Sequence, residues 1–154
     1  MKVGIKKIHE DEWWVEVDFA TIRLNYFQVH LLNIILKHVM HLGEEQHYEL
    51  LHGFLTLLEK LNYLSDSDLQ RLLREVRDQD LAWILQALQN EPLKQRMFKN
   101  MGPLLAKQLQ QDLETMNPPA AEQVMEAIER VMRHAFALEV KGEIEFQTEV
   151  TEYI

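Results

Sequence analysis

The sequence predicts a mainly α-helical protein, a superhelical bundle of stacked helix pairs carrying a small antiparallel β-sheet formed by the chain termini. Three observations carry that prediction. Gly and Pro are scarce, five and four in 154 residues, while Leu, Gln, Glu and Met are plentiful, a composition that favours helix interiors. Apolar residues recur at three- and four-residue spacing through the body of the chain. At both ends the period drops to two.

At the N-terminus, Val15, Val17 and Phe19 alternate with Trp14, Glu16 and Asp18, which reads as a half-buried strand. Val3 and Ile5 supply a strand before it, with residues 9–12 as the polar turn. Asn25 with Gln28 forms a capping-box pattern opening a helix that ends at Gly43. A second helix is expected from about Glu44 to Asn62. Ser67 with Gln70 opens a short helix to Val76, Asp78 caps the next through Gln89, and Asn90 caps another whose first turn holds Pro92. Gly102-Pro103 and Asn117-Pro118-Pro119 break the chain again. The last helix carries Val124, Ile128, Val131, Ala135 and Leu138 on one stripe and stops at Gly142. Beyond it Ile144, Phe146, Thr148 and Val150 alternate with Glu143, Glu145, Gln147 and Glu149. An isolated hairpin is marginal in water, so these terminal strands are expected to pair together or dock on the helices.

Charge and composition exclude several function classes. The formal net charge is −9, from 25 acidic and 16 basic side chains, the wrong balance for a phosphate-binding face. Without cysteine there is no disulfide framework and no thiolate chemistry, which fits a reducing, cytoplasmic setting. The run Leu31 to Leu36 is interrupted by Asn33 and followed by Lys37 and His38, well short of the roughly 18 apolar residues a membrane span needs. The first ten residues lack the apolar run of an export signal.

Catalytic and metal chemistry finds little support. His38 and His41 share a helical face, and Glu44/His47 and Glu49/His52 have Glu-x-x-His spacing. Di-iron bundles place such pairs on two facing helices; here both copies fall on one helix, five residues apart, so solvated histidines at a helix junction are expected. Residues 9–12 read as a turn, not a cation site. A glycine-rich phosphate loop and a Gly-x-Ser-x-Gly elbow are both missing from the sequence. Met97, Met101, Met116, Met125 and Met132 fill core gaps or line an adaptable groove. No catalytic residue, metal ligand or cofactor is assigned.

A family appears in the second half of the chain. The segments Leu58-Glu59-Lys60-Leu61, Ser65 through Val76, Glu91-Pro92-Leu93-Lys94 and Phe98-Lys99-Asn100-Met101 come in order. Leu109-Gln110-Gln111-Asp112-Leu113-Glu114, the Asn117-Pro118 break and Leu138 through Ile144 follow them. In this order and spacing residues 57–146 resemble the C-terminal domain of the bacterial flagellar motor switch protein FliG. Leu69 to Val76, and Asn100-Met101 with Asp112-Leu113, are the most specific parts.

The resemblance implies an armadillo-like helical domain used for protein contacts, not catalysis, in which charged side chains on one ridge meet charges on the stator's cytoplasmic loop. This sequence departs from that ridge. The family's lysine before the Pro turn falls on Gln86 or Gln89, the arginine three past Asn-Met on Leu104, and the later arginine on Ala120. Of the paired aspartates the first is Gln111, leaving Asp112 as the retained partner-binding position. Every matched basic position is uncharged, and exposed charges act only in concert. The Met-Phe-x-Phe hinge segment expected ahead of Glu59 is replaced by Leu55-Thr56-Leu57-Leu58.

The organisation expected is an unmatched strand-and-two-helix region over residues 1–56, the FliG-like helical domain over 57–146, and a C-terminal strand over 147–154. With 154 residues against a three-domain family, the expectation is a stand-alone, divergent or repurposed motor-like adaptor. Its expected partner is a protein, with flagellar switch or stator components as the candidates. Nucleic acid and membrane insertion are not expected, the location is cytoplasmic or peripheral at the flagellar basal body, and open strand edges admit a homodimer. The alternative is a divalent-cation-responsive regulatory domain similar to the helical cytoplasmic domain of magnesium channels.

Overall fold

The computed structural model describes residues 1–44 and 48–147. The chain divides into two compact units, Met1–Gly53 and Phe54–Ile154.

The first unit holds an antiparallel meander of β1 (Val3–His9), β2 (Glu12–Val17) and β3 (Ala20–Leu24) in that order, followed by helix α1 (Tyr26–Val39). The register aligns Ile5 with Val15 and Val15 with Ile22, and likewise Val3 with Val17 and Val17 with Ala20. Because side chains alternate along a strand, this puts Val3, Ile5, Val15, Val17, Ala20 and Ile22 on one face. The opposite face is polar: Lys6 pairs with Glu16 at 3.9 Å and the Arg23 guanidinium lies 5.4 Å from the Trp14 ring centre. Trp13 closes the far end of the apolar face, its ring centre 5.7 Å from that of Tyr26 on α1.

Helix α1 starts as the capping box predicts. The Asn25 side chain accepts the Gln28 N–H at 2.8 Å and the Gln28 side chain accepts the Asn25 N–H at 2.9 Å. Asp11 adds a third acceptor, 2.8 Å from the Tyr26 N–H, so the turn between β1 and β2 also fixes the start of the helix.

The sheet differs from the expectation in its make-up. All three strands of the described sheet come from the N-terminal region, and β3 stands where the sequence reading ended its strand. Phe19 lies in the β2–β3 turn, with Asp18 at φ 51° and its carboxylate accepting the Lys2 N–H at 2.9 Å. Residues 144–147 are not a strand. Their alternating apolar side chains dock on helices: Ile144 is buried and the Phe146 ring lies 5.8 Å from Phe136. The backbone there is satisfied locally, with the Glu145 N–H on the Asp68 carboxylate and the Gln147 N–H on the Tyr63 carbonyl. The remainder of the expected terminal strand, residues 148–154, lies outside the described residues.

Helix α2 (Leu50–Leu58) tightens into a 3-10 turn, Glu59–Tyr63, where a single longer helix was expected. Then come α3 (Asp66–Glu75), α4 (Asp78–Ala87), α5 (Glu91–Lys99), α6 (Pro103–Thr115) and α7 (Ala121–Val140). Ser65, not Ser67, caps α3 through the Asp68 N–H; Asn90 caps α5 through the Leu93 N–H, as predicted. Asp78 is the first residue of α4, not its cap; the cap is Arg77, whose side chain is engaged elsewhere. At the end of α7, Gly142 takes φ 73°, its N–H reaching Glu139 and the Glu143 N–H reaching Leu138, the two bonds of a Schellman stop.

The core of this unit is leucine-rich. Leu57, Leu61, Leu69, Leu72, Leu81, Ile84, Leu85 and Leu93 are fully buried together with Met97, Ile128 and Met132. Helix α7 supplies the longest stripe, from Val124 to Leu138, and α4 packs against both α7 and α6.

Candidate functional site

A cleft of about 310 Å³ opens between α4 and α6. Its apolar floor comes from Ala82, Leu105, Leu109 and Met116, and its rim carries Asp78 from α4 and Gln108, Asp112 and Thr115 from α6. Two acidic side chains on an otherwise neutral, half-apolar cleft favour a cationic group with an aliphatic stem, such as a lysine or arginine side chain.

Local structure places Asp112 there. Leu109 is buried, so Asp112, three residues on, falls beside it on the flank of α6 and is exposed. The carbonyl of Asp112 accepts the Met116 N–H at 2.8 Å and the Thr115 hydroxyl at 3.5 Å, which anchors the last turn.

The other positions singled out by the family comparison are surface positions. Leu104 is 86% exposed, Gln111, Gln89 and Ala120 are exposed, and Gln86 is half-buried. Leu104, Gln111 and Asp112 share α6, Gln86 lies near the end of α4, and Ala120 precedes α7. Of these, Asp112 lines the cleft.

Beneath α4 lies a group that sequence reasoning missed. Asp80 is 2% exposed, yet its carboxylate is held by two guanidinium groups. Arg130 on α7 donates to it at 3.0 and 2.8 Å, and Arg77 donates at 3.2 Å to each oxygen. Burial pushes the Asp80 carboxyl up, but the hydrogen bonds from Arg130 and Arg77 outweigh it and hold the group below the ordinary carboxylate range. The Asp80–Arg130 pair is the polar tie between α4 and α7. The available signal was its spacing: Asp80, Ile84 and Leu88 fall on one buried helical stripe.

A second polar tie joins α5 to the start of α3. Arg96 donates to the carbonyls of Leu61 and Asn62 at 3.1 and 3.2 Å, to that of Leu64, and to the Asp66 carboxylate. Asn100, buried at 6% exposure, donates to Asp66 and accepts from Gln70.

The histidine-rich segment does not converge. The His38 Nδ1 lies 2.8 Å from the Ile34 carbonyl, and its ring is 5.8 Å from that of His52 and 5.6 Å from Tyr48. His41 and Glu44 are exposed, and His47 lies outside the described residues. Among the described residues no three ligand-type side chains gather as a metal site, and no helix is long and apolar enough to cross a membrane.

Comparison with known proteins supplies the identity of the helical part. Residues 44–146 match the family model described as the FliG C-terminal domain. The chain is 33% identical over 88 residues to the flagellar motor switch protein FliG of Borreliella burgdorferi and 38% identical over 88 residues to that of Thermotoga maritima. Each match covers 57% of this chain and about a quarter of the relative, 25% and 26%. With a family match over residues 44–146, more than half of the chain, and helices through that span, this chain belongs to the FliG C-terminal domain family.

Proposed function

We propose that this protein is a cytoplasmic, non-enzymatic contact domain of the flagellar motor type that engages a protein partner through the α4–α6 cleft. It acts as an adaptor whose ridge has lost most of the charge that couples rotor to stator. The observation that carries this reading is the pairing of family membership with an exposed Asp112 on the rim of that cleft. The surface positions Leu104, Gln111 and Ala120 that accompany it are uncharged. A cleft with a partly apolar floor binds through fit as well as charge, so it suits an adaptor that docks, more than a ridge that steers by repeated charge encounters. Family membership favours this reading over that of a divalent-cation sensor.

The test is direct binding. The purified chain is titrated against the switch proteins and the stator cytoplasmic loop of its own organism, with Asp112→Lys alongside. Saturable binding to one of them, weakened tenfold or more by Asp112→Lys, is the expected result. No binding to any of them would remove the flagellar-adaptor reading; binding indifferent to Asp112→Lys would remove the cleft from it.

A further inference from the structure

We propose that the apolar face of the N-terminal sheet is a self-association surface, packed in solution against the same face of a second copy of this chain. The face carries Val3, Ile5, Val15, Val17, Ala20 and Ile22 in adjacent rows. Val3 is 61% exposed, Ile5 68%, Val17 40% and Ile22 54%, and Phe19 at the β2–β3 turn is fully exposed. Among the described residues 1–53, Phe27 is the one buried large hydrophobic side chain. A folded unit this small ordinarily needs a partner surface or a covalent staple to hold it, and the chain has no cysteine.

Area and charge select a second copy as the occupant. Together with Phe19 at the turn, the exposed side chains present several hundred Å² of apolar surface, at the upper end of what a monomer ordinarily leaves open and approaching the ~800 Å² that one partner contributes to a stable interface. Charge is segregated to match. Residues 1–24 contain four basic and five acidic side chains, against 16 and 25 in the whole chain. The sheet region itself is therefore nearly neutral and sets little charge repulsion against a second copy of the same face. The apolar rows on both sides of the central β2 make the face self-complementary under a two-fold axis, the commonest closed symmetry. Twisted sheets pack face to face in this way about 10 Å apart.

The experiment is the mass of the full chain in solution by light scattering after size exclusion, from micromolar to tenth-millimolar concentration. The expected mass is twice the 18.3 kDa of the chain. Ile5→Glu/Ile22→Glu, on the apolar face, is expected to halve it with the helical circular dichroism unchanged. Thr21→Glu, on the polar face, should leave the dimer intact. A monomeric wild type would overturn the proposal and assign the face to a different partner, and a dimer surviving Ile5→Glu/Ile22→Glu would place the contact elsewhere. A readout free of face substitutions uses the absence of cysteine: Thr21→Cys, spin-labelled, should give one intermolecular distance on the order of 25 Å, from two sheets about 10 Å apart with labels pointing outward. No intermolecular dipolar coupling at tenth-millimolar concentration would equally contradict it.

Discussion

Arg130 reaches across 50 residues of sequence to donate two guanidinium hydrogen bonds to the carboxylate of Asp80, with N···O distances of 3.0 and 2.8 Å, where α7 packs against α4. Asp80 is almost wholly enclosed while Arg130 is 41% exposed at its side chain, so the two partners respond differently to removal. Taking away Arg130 strands a buried carboxylate on the weaker Arg77 contact; taking away Asp80 leaves two arginines that water can solvate.

Arg130→Met is therefore expected to destabilise the protein by about 3 kcal/mol and Asp80→Asn by about half as much. The double change Asp80→Leu/Arg130→Met should return stability to within about 1 kcal/mol of wild type, because apolar packing replaces a costly buried pair. Urea denaturation followed by circular dichroism measures all four proteins.

Arg96 clips the 3-10 turn to the start of α3, because one planar fork serves three carbonyls and a carboxylate. Arg96→Lys keeps the charge and loses the fork, leaving carbonyls without donors. A loss of about 1–3 kcal/mol is expected. Amide exchange across residues 59–66 should quicken ahead of the rest of the helical unit.

Stability should pass through a maximum on the acidic side of neutrality. Hydrogen bonds from Arg96 and Asn100 hold the Asp66 carboxyl below its usual range, and Asp80 also lies low once its arginines outweigh burial. Unfolded carboxyls titrate near pH 4, so the stability from these two is complete above about that value and is lost as pH falls through their lower folded values. Glu139 behaves oppositely. Burial raises it, with Glu145 adding and Lys60 opposing, so stability is gained as pH falls through its raised value and lost again as pH rises. The denaturant midpoint should rise as pH falls through the raised Glu139 value and fall again below about pH 4. Glu139→Gln should flatten the upper limb and leave the acid limb unchanged.

Gly142 sits at φ 73° with open space where a Cβ would go. Gly142→Ala therefore meets no neighbour and suffers only backbone strain. A loss of about 1 kcal/mol is expected, read as a lower thermal midpoint with no change in helix content.

Much of the fold was legible because its signals are local. Asn25 with Gln28, Asn90 with Pro92, and Gly142 each name a helix end through a hydrogen bond made within a few residues. The misplacements have the same root. Ser65-Asp66-Ser67-Asp68 offers two serines two residues apart, and only the packing of Leu69, Leu72 and Leu73 against the core selects Ser65. Asp78 reads as a cap until Arg77, held toward Asp80, takes the position. Period-two alternation at 144–147 predicted a strand, yet alternation reports only that every second side chain is buried. Ile144 and Phe146 meet that demand on a helical surface. β3 was obscured because the turn before it uses Asp18 at positive φ without a glycine. The cleft was half legible: family resemblance pointed to Asp112, but Asp78 joins it only through the crossing of α4 and α6, a long-range contact that no local pattern encodes.

The proposed contact role in the flagellar motor is tested in swimming cells. The most direct measurement is the swimming speed and reversal frequency of a strain whose copy of the gene is deleted, then restored with wild type or with Asp112→Lys. Altered swimming or switching is expected on deletion, with recovery by wild type and weaker recovery by Asp112→Lys at equal protein level. Motility and switching unchanged by the deletion would contradict that role.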